Sequence, residues 1–442
     1  MLYALLFCAL LCQYSDSFRH INTIPILKNR NKLLNINCNS INNINDQVNN
    51  INQNENQINE NQINENQINE NQINEDKPKF YHFDVFPRLE GPNSNGILTW
   101  YPIGFKNDFT NKPKRITIRD NNYIVWKDKT TFYGLRDCCS HQGSSFQFGT
   151  CNKNTITCPY HGYVFNGSNG ELVKIPKLQH SHSCKHNVEC YKVVEKGDVI
   201  YLNTVPITNE NEKNTIDDTQ IFTEPEHFYP NQRAVFLHED FEHYAKFVSV
   251  NSLDICHIGF VHTFGNKKSP NPLHNSNIIK MNDTDYHHKI IYEYVAGENS
   301  LVNKIYNFDK IIVENEYVLP HTTVARVIFG PYTSTIITHA LPVSKFKTKL
   351  FVKAYRSYWS YDLNKKDNIL LNPLLSIINQ IGDKITKNTM SVTLKQDKSI
   401  VDFIDKSDYE SMHGKFSIVY DKFSNHYKNN YKKFYENGPL SI

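Results

Sequence analysis

Two short stretches pair thiols with imidazoles: CCSHQGSS at 138–145 and CPYHGYVF at 158–165. Each offers one cysteine and one histidine at close range, Cys139-x-His141 and Cys158-x-x-His161, with 16 residues between His141 and Cys158. A zinc finger pairs like with like, two cysteines and then two histidines. The mixed pairing suits an asymmetric two-iron cluster, in which thiolates hold one ferric ion and neutral imidazoles replace two thiolates on the other. Removing two negative charges raises the reduction potential into a window of roughly −150 to +300 mV. Gly143, Pro159 and Gly162 suit tight loops whose backbone N–H groups approach the cluster sulfides. Such a centre moves one electron and does no chemistry alone, so the electron needs a destination.

NSLDICHIGFVH, residues 251–262, is the candidate destination. On a helix, Asn251, Asp254, His257 and His262 fall within an arc of about 140°, with Asp254 between the histidines. Two histidines on one inward face want a metal, and an adjacent carboxylate can orient one ring through its free N–H. Five-residue spacing is wide for an ideal helix, so Gly259 is read as a local distortion. This reading expects a helix around Tyr244–Thr263. His238, His243, His287, His288, His321 and His339 have no partner at useful spacing and are read as surface or core histidines.

The two loops resemble a Rieske [2Fe–2S] domain, and Asn-x-x-Asp-x-x-His-x4-His resembles the mononuclear iron motif of Rieske non-haem iron oxygenases. The resemblance implies one cluster per subunit on Cys139, His141, Cys158 and His161. It also implies an Fe(II) ion held by His257, His262 and a later aspartate, a facial triad with positions open for O2. Asp397 in LKQD, 135 residues after His262, is the candidate, with Asp402 in reserve. Electrons from a ferredoxin-like donor would pass from His141 or His161 through Asp254 to His257, between neighbours of a homotrimer. Asn251 would hydrogen-bond in that relay or cap a helix. Gln142 and Tyr163 stand where the oxygenase branch often has Arg and Trp, which leaves the potential and docking surface open. Ser144 and Tyr160 stand where respiratory Rieske proteins carry an interloop disulfide, so that bridge cannot form. Cys138 and Cys151 are read as small buried side chains. Trp100-Tyr101-Pro102, the phrase Leu319–Arg326 and Gln396-Asp397 resemble a plastid group: pheophorbide a oxygenase, chlorophyllide a oxygenase and the Rieske component of the inner-envelope import translocon. Plant members of that group typically carry a C-terminal Cys-x-x-Cys and membrane segments. No cysteine follows Cys256 and no 18-residue apolar run occurs, so neither feature is carried over.

The elements that must position these residues divide the chain. Arg115–Arg119 and Tyr123–Trp126 are β-rich runs around a turn signal, Asp120-Asn121-Asn122, and short strands continue through Val199–Leu202. Residues 80–205 are therefore expected to be an all-β Rieske domain. Residues 207–220 are polar and read as a linker. Residues 221–436 combine strand-like runs at Thr322–Phe329, Ser334–Leu341 and Lys349–Tyr358 with a helical stretch near Asn379–Asp405. Helices bracketing an antiparallel sheet make the whole α+β, with a helix-grip-like (START-like) mononuclear-iron domain following the Rieske domain.

Ahead of both lies a preamble. Residues 1–17 contain an apolar run of signal-peptide length, and 18–45 are basic and free of acids, the composition of a transit segment. Residues 46–79 include four copies of NQINE, whose five-residue period fits neither helix nor strand and reads as a disordered linker. A signal followed by a transit segment resembles the bipartite leader of proteins sent to complex plastids such as an apicoplast; the alternative destination is the secretory pathway. The net charge of +3 makes no case for nucleic acid or an anionic membrane, and no 18-residue apolar run predicts a membrane span. The function implied is an oxygenase acting on O2 and a large apolar, ring-containing substrate of tetrapyrrole type. The alternatives are a redox-sensing or import-associated protein without turnover and a sterol-type desaturase.

Overall fold

The structure is a computed structural model that describes residues 96–177, 186–207, 216–297, 308, 310–364, 371–406 and 417–436. The leader, the transit-like segment and the NQINE repeats lie outside the described residues.

The first strands are β1 (Trp100–Phe105), β2 (Lys114–Ile118), β3 (Asn121–Asp128) and β4 (Thr131–Arg136). Four short strands follow: β5 (Thr150–Asn152), β6 (Thr155–Thr157), β7 (Val164–Asn166) and β8 (Leu172–Lys174). With β9 (Cys190–Lys196) and β10 (Val199–Ile207) they form two antiparallel sheets, one ordered β1-β10-β9-β4-β3-β2 and one ordered β5-β6-β7-β8. The hairpin between β2 and β3 forms one residue earlier than its Asp-Asn-Asn signal suggests. Ile118 pairs with Asn121, which leaves Arg119-Asp120 as a two-residue turn with both φ angles positive, 48° and 65°. Turns of that hand match the twist of the flanking strands. Tertiary contact supports the choice: the Arg119 and Asp120 N–H groups donate to the carbonyls of Pro342 and Val343 at 2.8 and 2.9 Å.

The second region contains β11 (Arg233–Phe241), α1 (Ala245–Leu253), α2 (Ile258–Val261), β12 (His274–Asn275), β13 (Ile279–Lys280), β14 (His287–Val295), β15 (Lys310–Val318), β16 (Thr322–Phe329), β17 (Tyr332–Ser344), β18 (Lys347–Arg356), α3 (Asn372–Val401) and α4 (Lys422–Tyr431). Eight of its strands form one antiparallel sheet, ordered β11-β18-β17-β16-β15-β14-β12 with β13 added to β14. Strand alternation gives this sheet two different faces. Leu350, Val352 and Ala354 of β18 pack with Val248 of α1 and Leu394 of α3. Residues between them point the other way, toward the first sheets: Phe351 lies 5.9 Å from Phe105 of β1, and Lys353 Nζ donates to the Gly197 carbonyl. The sheet is thus the middle layer between helices and the strands of the first region, which matches the α+β architecture expected of the sequence.

Two expectations about connections are corrected. The single helix over Tyr244–Thr263 is two helices, because the chain leaves helical geometry at Asp254 (φ −74°, ψ 123°). The Asp254 carboxylate caps the resulting turn by accepting the Cys256 N–H at 2.8 Å, a local alternative to helix that aspartate favours. Nor is the later part of the 207–220 segment a free linker. Trp100 Nε1 donates to the Asp217 carbonyl at 2.9 Å, and Asp218 pairs with Lys192 and Lys196 at 3.2 and 3.3 Å.

Candidate metal centres

The loops after β4 and β6 repeat the same two turns. In the first, the Cys139 N–H donates to Ser144 O and the Gly143 N–H to Cys139 O; in the second, Cys158 N–H donates to Tyr163 O and Gly162 N–H to Cys158 O. Gly143 and Gly162 sit at φ 72° and 75°, backbone that glycine adopts without a Cβ clash. The Asp137 carboxylate braces the first loop, accepting the Phe146 N–H and the Ser145 hydroxyl at 2.7 Å each.

These loops bring together all four donors. Cys139 and Cys158 are buried, while His141 and His161 are exposed with their Nδ1 atoms 3.2 Å apart. Burial, reinforced by Cys158, pushes the Cys139 thiol up to about 11, against the pull of the His141 and Gln142 N–H groups. A buried thiol held up in this way ionises where positive charge compensates it, and ferric ions would supply that charge. Tyr163 stacks on His141 with centroids 4.5 Å apart, at the position where the oxygenase branch often has tryptophan. Among the described residues the cysteines are free thiols, so no disulfide joins the loops. Cys138, read as a small buried side chain, is exposed, and Cys151 is half-buried.

The second centre assembles three residues from α2 and α3. The His257 and His262 Nε2 atoms lie 3.3 Å apart, and each is 3.4 Å from Asp397 Oδ1. A near-equilateral triangle of this size fits one octahedral face, where neighbouring ligands about 2.1 Å from an ion stand roughly 3 Å apart. His257 caps the start of α2 and His262 its end, while Asp397 lies in the last two turns of α3. The other ring nitrogens are occupied. His257 Nδ1 is 2.7 Å from the Asp254 carbonyl oxygen, and His262 Nδ1 is 3.2 Å from Gln396 Oε1. With both Nδ1 atoms donating, both Nε2 lone pairs converge on Asp397 Oδ1, a buried oxygen with no hydrogen-bond partner. Three converging acceptors fit a cation. Burial disfavours the charged form of both rings; for His257 the carboxylates of Asp397 and Asp254 overcome it and raise the pKa, while His262 is lowered.

The remaining candidates fall around this triad. The Asp254 carboxylate stands 3.8 Å from His257 Nδ1 and is 40% exposed, so its carbonyl rather than its carboxylate makes the short contact. Asn251 lies in the last turn of α1, away from the helix start, and is no N-cap. Asp402 ends α3, accepts the Glu242 N–H at 2.8 Å and pairs with Lys398 at 3.0 Å, outside the triad. Gly259 marks a close approach, since a Cβ there would come within 2.7 Å of Pro270 Cβ. Sequence reasoning did not foresee the part played by Gln396. Its signal was adjacency to Asp397 on a helix. His243, His287, His288, His321 and His339 are buried and belong to the core.

Comparison with known proteins agrees with the first centre. Residues 99–192 match the model of the Rieske [2Fe-2S] domain family. These residues form a Rieske domain. The chain is 28% identical over 105 residues, 23% of its length, to the tert-butanol monooxygenase / tert-amyl alcohol desaturase oxygenase subunit of Aquincola tertiaricarbonis. It is 23% identical over 271 residues to the chloroplastic choline monooxygenase of Beta vulgaris, covering 58% of this chain and 57% of that one. The matched stretches span 22% to 33% of the first curated relatives' lengths. The fold extends further: a crystal structure of dicamba monooxygenase bound to dicamba superposes with a TM-score of 0.61 at 16% identity, over 76% of this chain and 97% of that one. The Rieske domain and the sheet-and-helix domain behind it thus have the architecture of Rieske oxygenases.

Proposed function

We propose that this chain is a Rieske-type oxygenase that draws electrons from a ferredoxin-like donor and uses O2 to oxidise an apolar, ring-containing substrate. The observation that carries the reading is the triad of His257, His262 and Asp397, which an electron shuttle or redox sensor has no need to preserve. Iron bound there would supply coordination positions open to O2 and substrate chemistry. The protein's own part is positional. The Asp254 carbonyl and Gln396 Oε1 fix both ring tautomers so that Nε2 faces inward. Cys139, His141, Cys158 and His161 would hold the cluster, with the two imidazole edges exposed for electron exchange. The half-exposed carboxylate of Asp254 beside His257 supports its reading as the relay to a neighbouring subunit, in a homotrimer.

The inner face of the catalytic sheet is apolar and aromatic, with Tyr292 and Tyr294 among its side chains, which supports a ring substrate. A tetrapyrrole is the ring class that the phrases Trp100–Pro102 and Leu319–Arg326 suggest. Desaturation is the second reading, because one relative is named for both monooxygenation and desaturation. The leader's composition supports plastid delivery, which a fluorescent fusion of residues 1–79 tests. The chemistry is tested by incubating the iron-loaded protein with organelle extract, reductant and isotopically labelled O2. Label in the product supports oxygenation, loss of two hydrogens without label supports desaturation, and O2 consumption that survives His257→Ala overturns both.

A further inference from the structure

Buried tyrosines that neither centre uses form a continuous run. Tyr317 of β15 is 0% exposed, and its hydroxyl has two partners. It lies 2.9 Å from the Asn430 amide and 2.7 Å from His426 Nδ1. Since Asn430 donates, the single phenolic proton points at His426 Nδ1, within the 2.6–3.2 Å or so that proton transfer requires. Burial, aided by Lys422, holds His426 below the ordinary imidazole range, so the ring is neutral and accepting. From Tyr317 the ring centroids step 5.2 Å to Tyr427, 5.7 Å to Tyr431 and 4.7 Å to Tyr435. The Tyr435 hydroxyl then meets that of Tyr101 at 2.5 Å. All five rings are buried.

The ends of this run lie in different places. Tyr317 is on the helix-facing side of the sheet, two residues from Asn315, whose amide donates to the Leu253 carbonyl at 3.4 Å. Leu253 adjoins Asp254, whose carbonyl orients His257. Tyr101 is on β1 of the Rieske domain. Core packing alone asks only that rings touch. A phenol whose proton faces a neutral imidazole can in addition lose an electron without leaving a positive charge on the phenol ring, because the proton moves to the imidazole.

We infer that Tyr317 and His426 are a redox-active pair that discharges the catalytic centre when O2 is reduced there without substrate being consumed. In the step, the Tyr317 O–H bond breaks. Its proton goes to His426 Nδ1, and one electron goes to a dioxygen-derived oxidant at the triad, which is reduced by one electron, leaving a neutral phenoxyl radical and an imidazolium. The reverse step takes one electron from the reduced ferredoxin-like donor of the proposed function, whose ferrous iron becomes ferric. The proton returns from His426 and the phenol is restored. The role rests on the oxygenase reading for its oxidant, whereas the test supplies an external one.

The full-length, cluster-loaded protein is exposed to a photogenerated ruthenium(III) oxidant and frozen for electron paramagnetic resonance. The expected result is a persistent tyrosyl radical, whose coupling to nitrogen in isotopically labelled histidine reports the imidazolium partner. Tyr317→Phe abolishes that signal, and His426→Leu shortens its lifetime. An equal signal in Tyr317→Phe overturns the inference. Where that variant does not fold, the labelled wild-type protein decides, because a radical without nitrogen coupling overturns the inference equally. Neither failure bears on oxygenation, which the labelled-O2 experiment reads separately.

Discussion

Lys353→Met tests how the Rieske domain and the eight-stranded sheet are joined. The side chain is 0% exposed, in the middle of β18. Its ammonium contacts Glu224 Oε1 and the Gly197 carbonyl at 2.5 Å each. Glu224 is itself buried at 2% and also accepts the Tyr355 hydroxyl at 2.6 Å. Methionine keeps much of the volume but removes the charge, so Glu224 is left as a buried carboxylate with one neutral donor. Breaking a buried pair by deleting one partner costs about 3–5 kcal/mol. For a folded unit of this size that is a fall in melting temperature on the order of 10 °C. Replacing the whole pair is far gentler, so Lys353→Met with Glu224→Gln should recover to within about 1–2 kcal/mol of wild type. Thermal and urea unfolding, followed by circular dichroism and by the cluster's visible absorbance, give both values. A single variant that costs less than about 1 kcal/mol, or a double variant no better than the single, refutes the reasoning.

Three further outcomes follow from the same structure. Cys139→Ser should bleach the cluster's visible spectrum while leaving the triad's metal binding intact, as read by iron content after reconstitution. Gly382→Ala should destabilise α3, because the added Cβ meets the buried Arg356 guanidinium at 2.5 Å; the readout is a lower melting temperature and weaker iron retention. Acid stability should fall early. Burial lowers His321 and His339 to about 3 and His288 to about 4, from 6.5 in the unfolded chain. Below pH 6.5 the unfolded state then binds more protons, so stability present above that pH is lost as pH falls toward 3. His321→Phe should reduce proton uptake on unfolding near pH 5 by about one, and an unchanged slope of stability against pH contradicts this.

The chemistry-bearing residues were legible because they are local. Cys139-x-His141 and Cys158-x-x-His161 name their own loops, and two histidines five apart name theirs. Strand runs such as Thr322–Phe329 were legible from β-branched composition, and that run coincides with β16. What was illegible is long-range. The helix break at Asp254 depends on its side chain capping the Cys256 N–H, and the wheel that placed the histidines on one helix reached their convergence by the wrong geometry. The Arg119-Asp120 turn depends on carbonyls 223 residues away in sequence at Pro342 and Val343. Nothing in the local sequence marks Lys353 and Glu224, or Arg326 and Glu226, as the buried pairs that the sheet makes of them. Arg326 Nε, for instance, donates to Glu226 Oε1 at 2.6 Å across 100 residues.

The account rests on a lone iron site at His257, His262 and Asp397 beside the cluster, and its direct measurement is Mössbauer spectroscopy on the protein reconstituted with isotopically enriched iron. The account predicts about three irons per chain, one of them an isolated high-spin ferrous ion, with only the two-iron cluster left in Asp397→Ala. A fully reconstituted wild-type protein with two irons and no isolated ferrous component would contradict it.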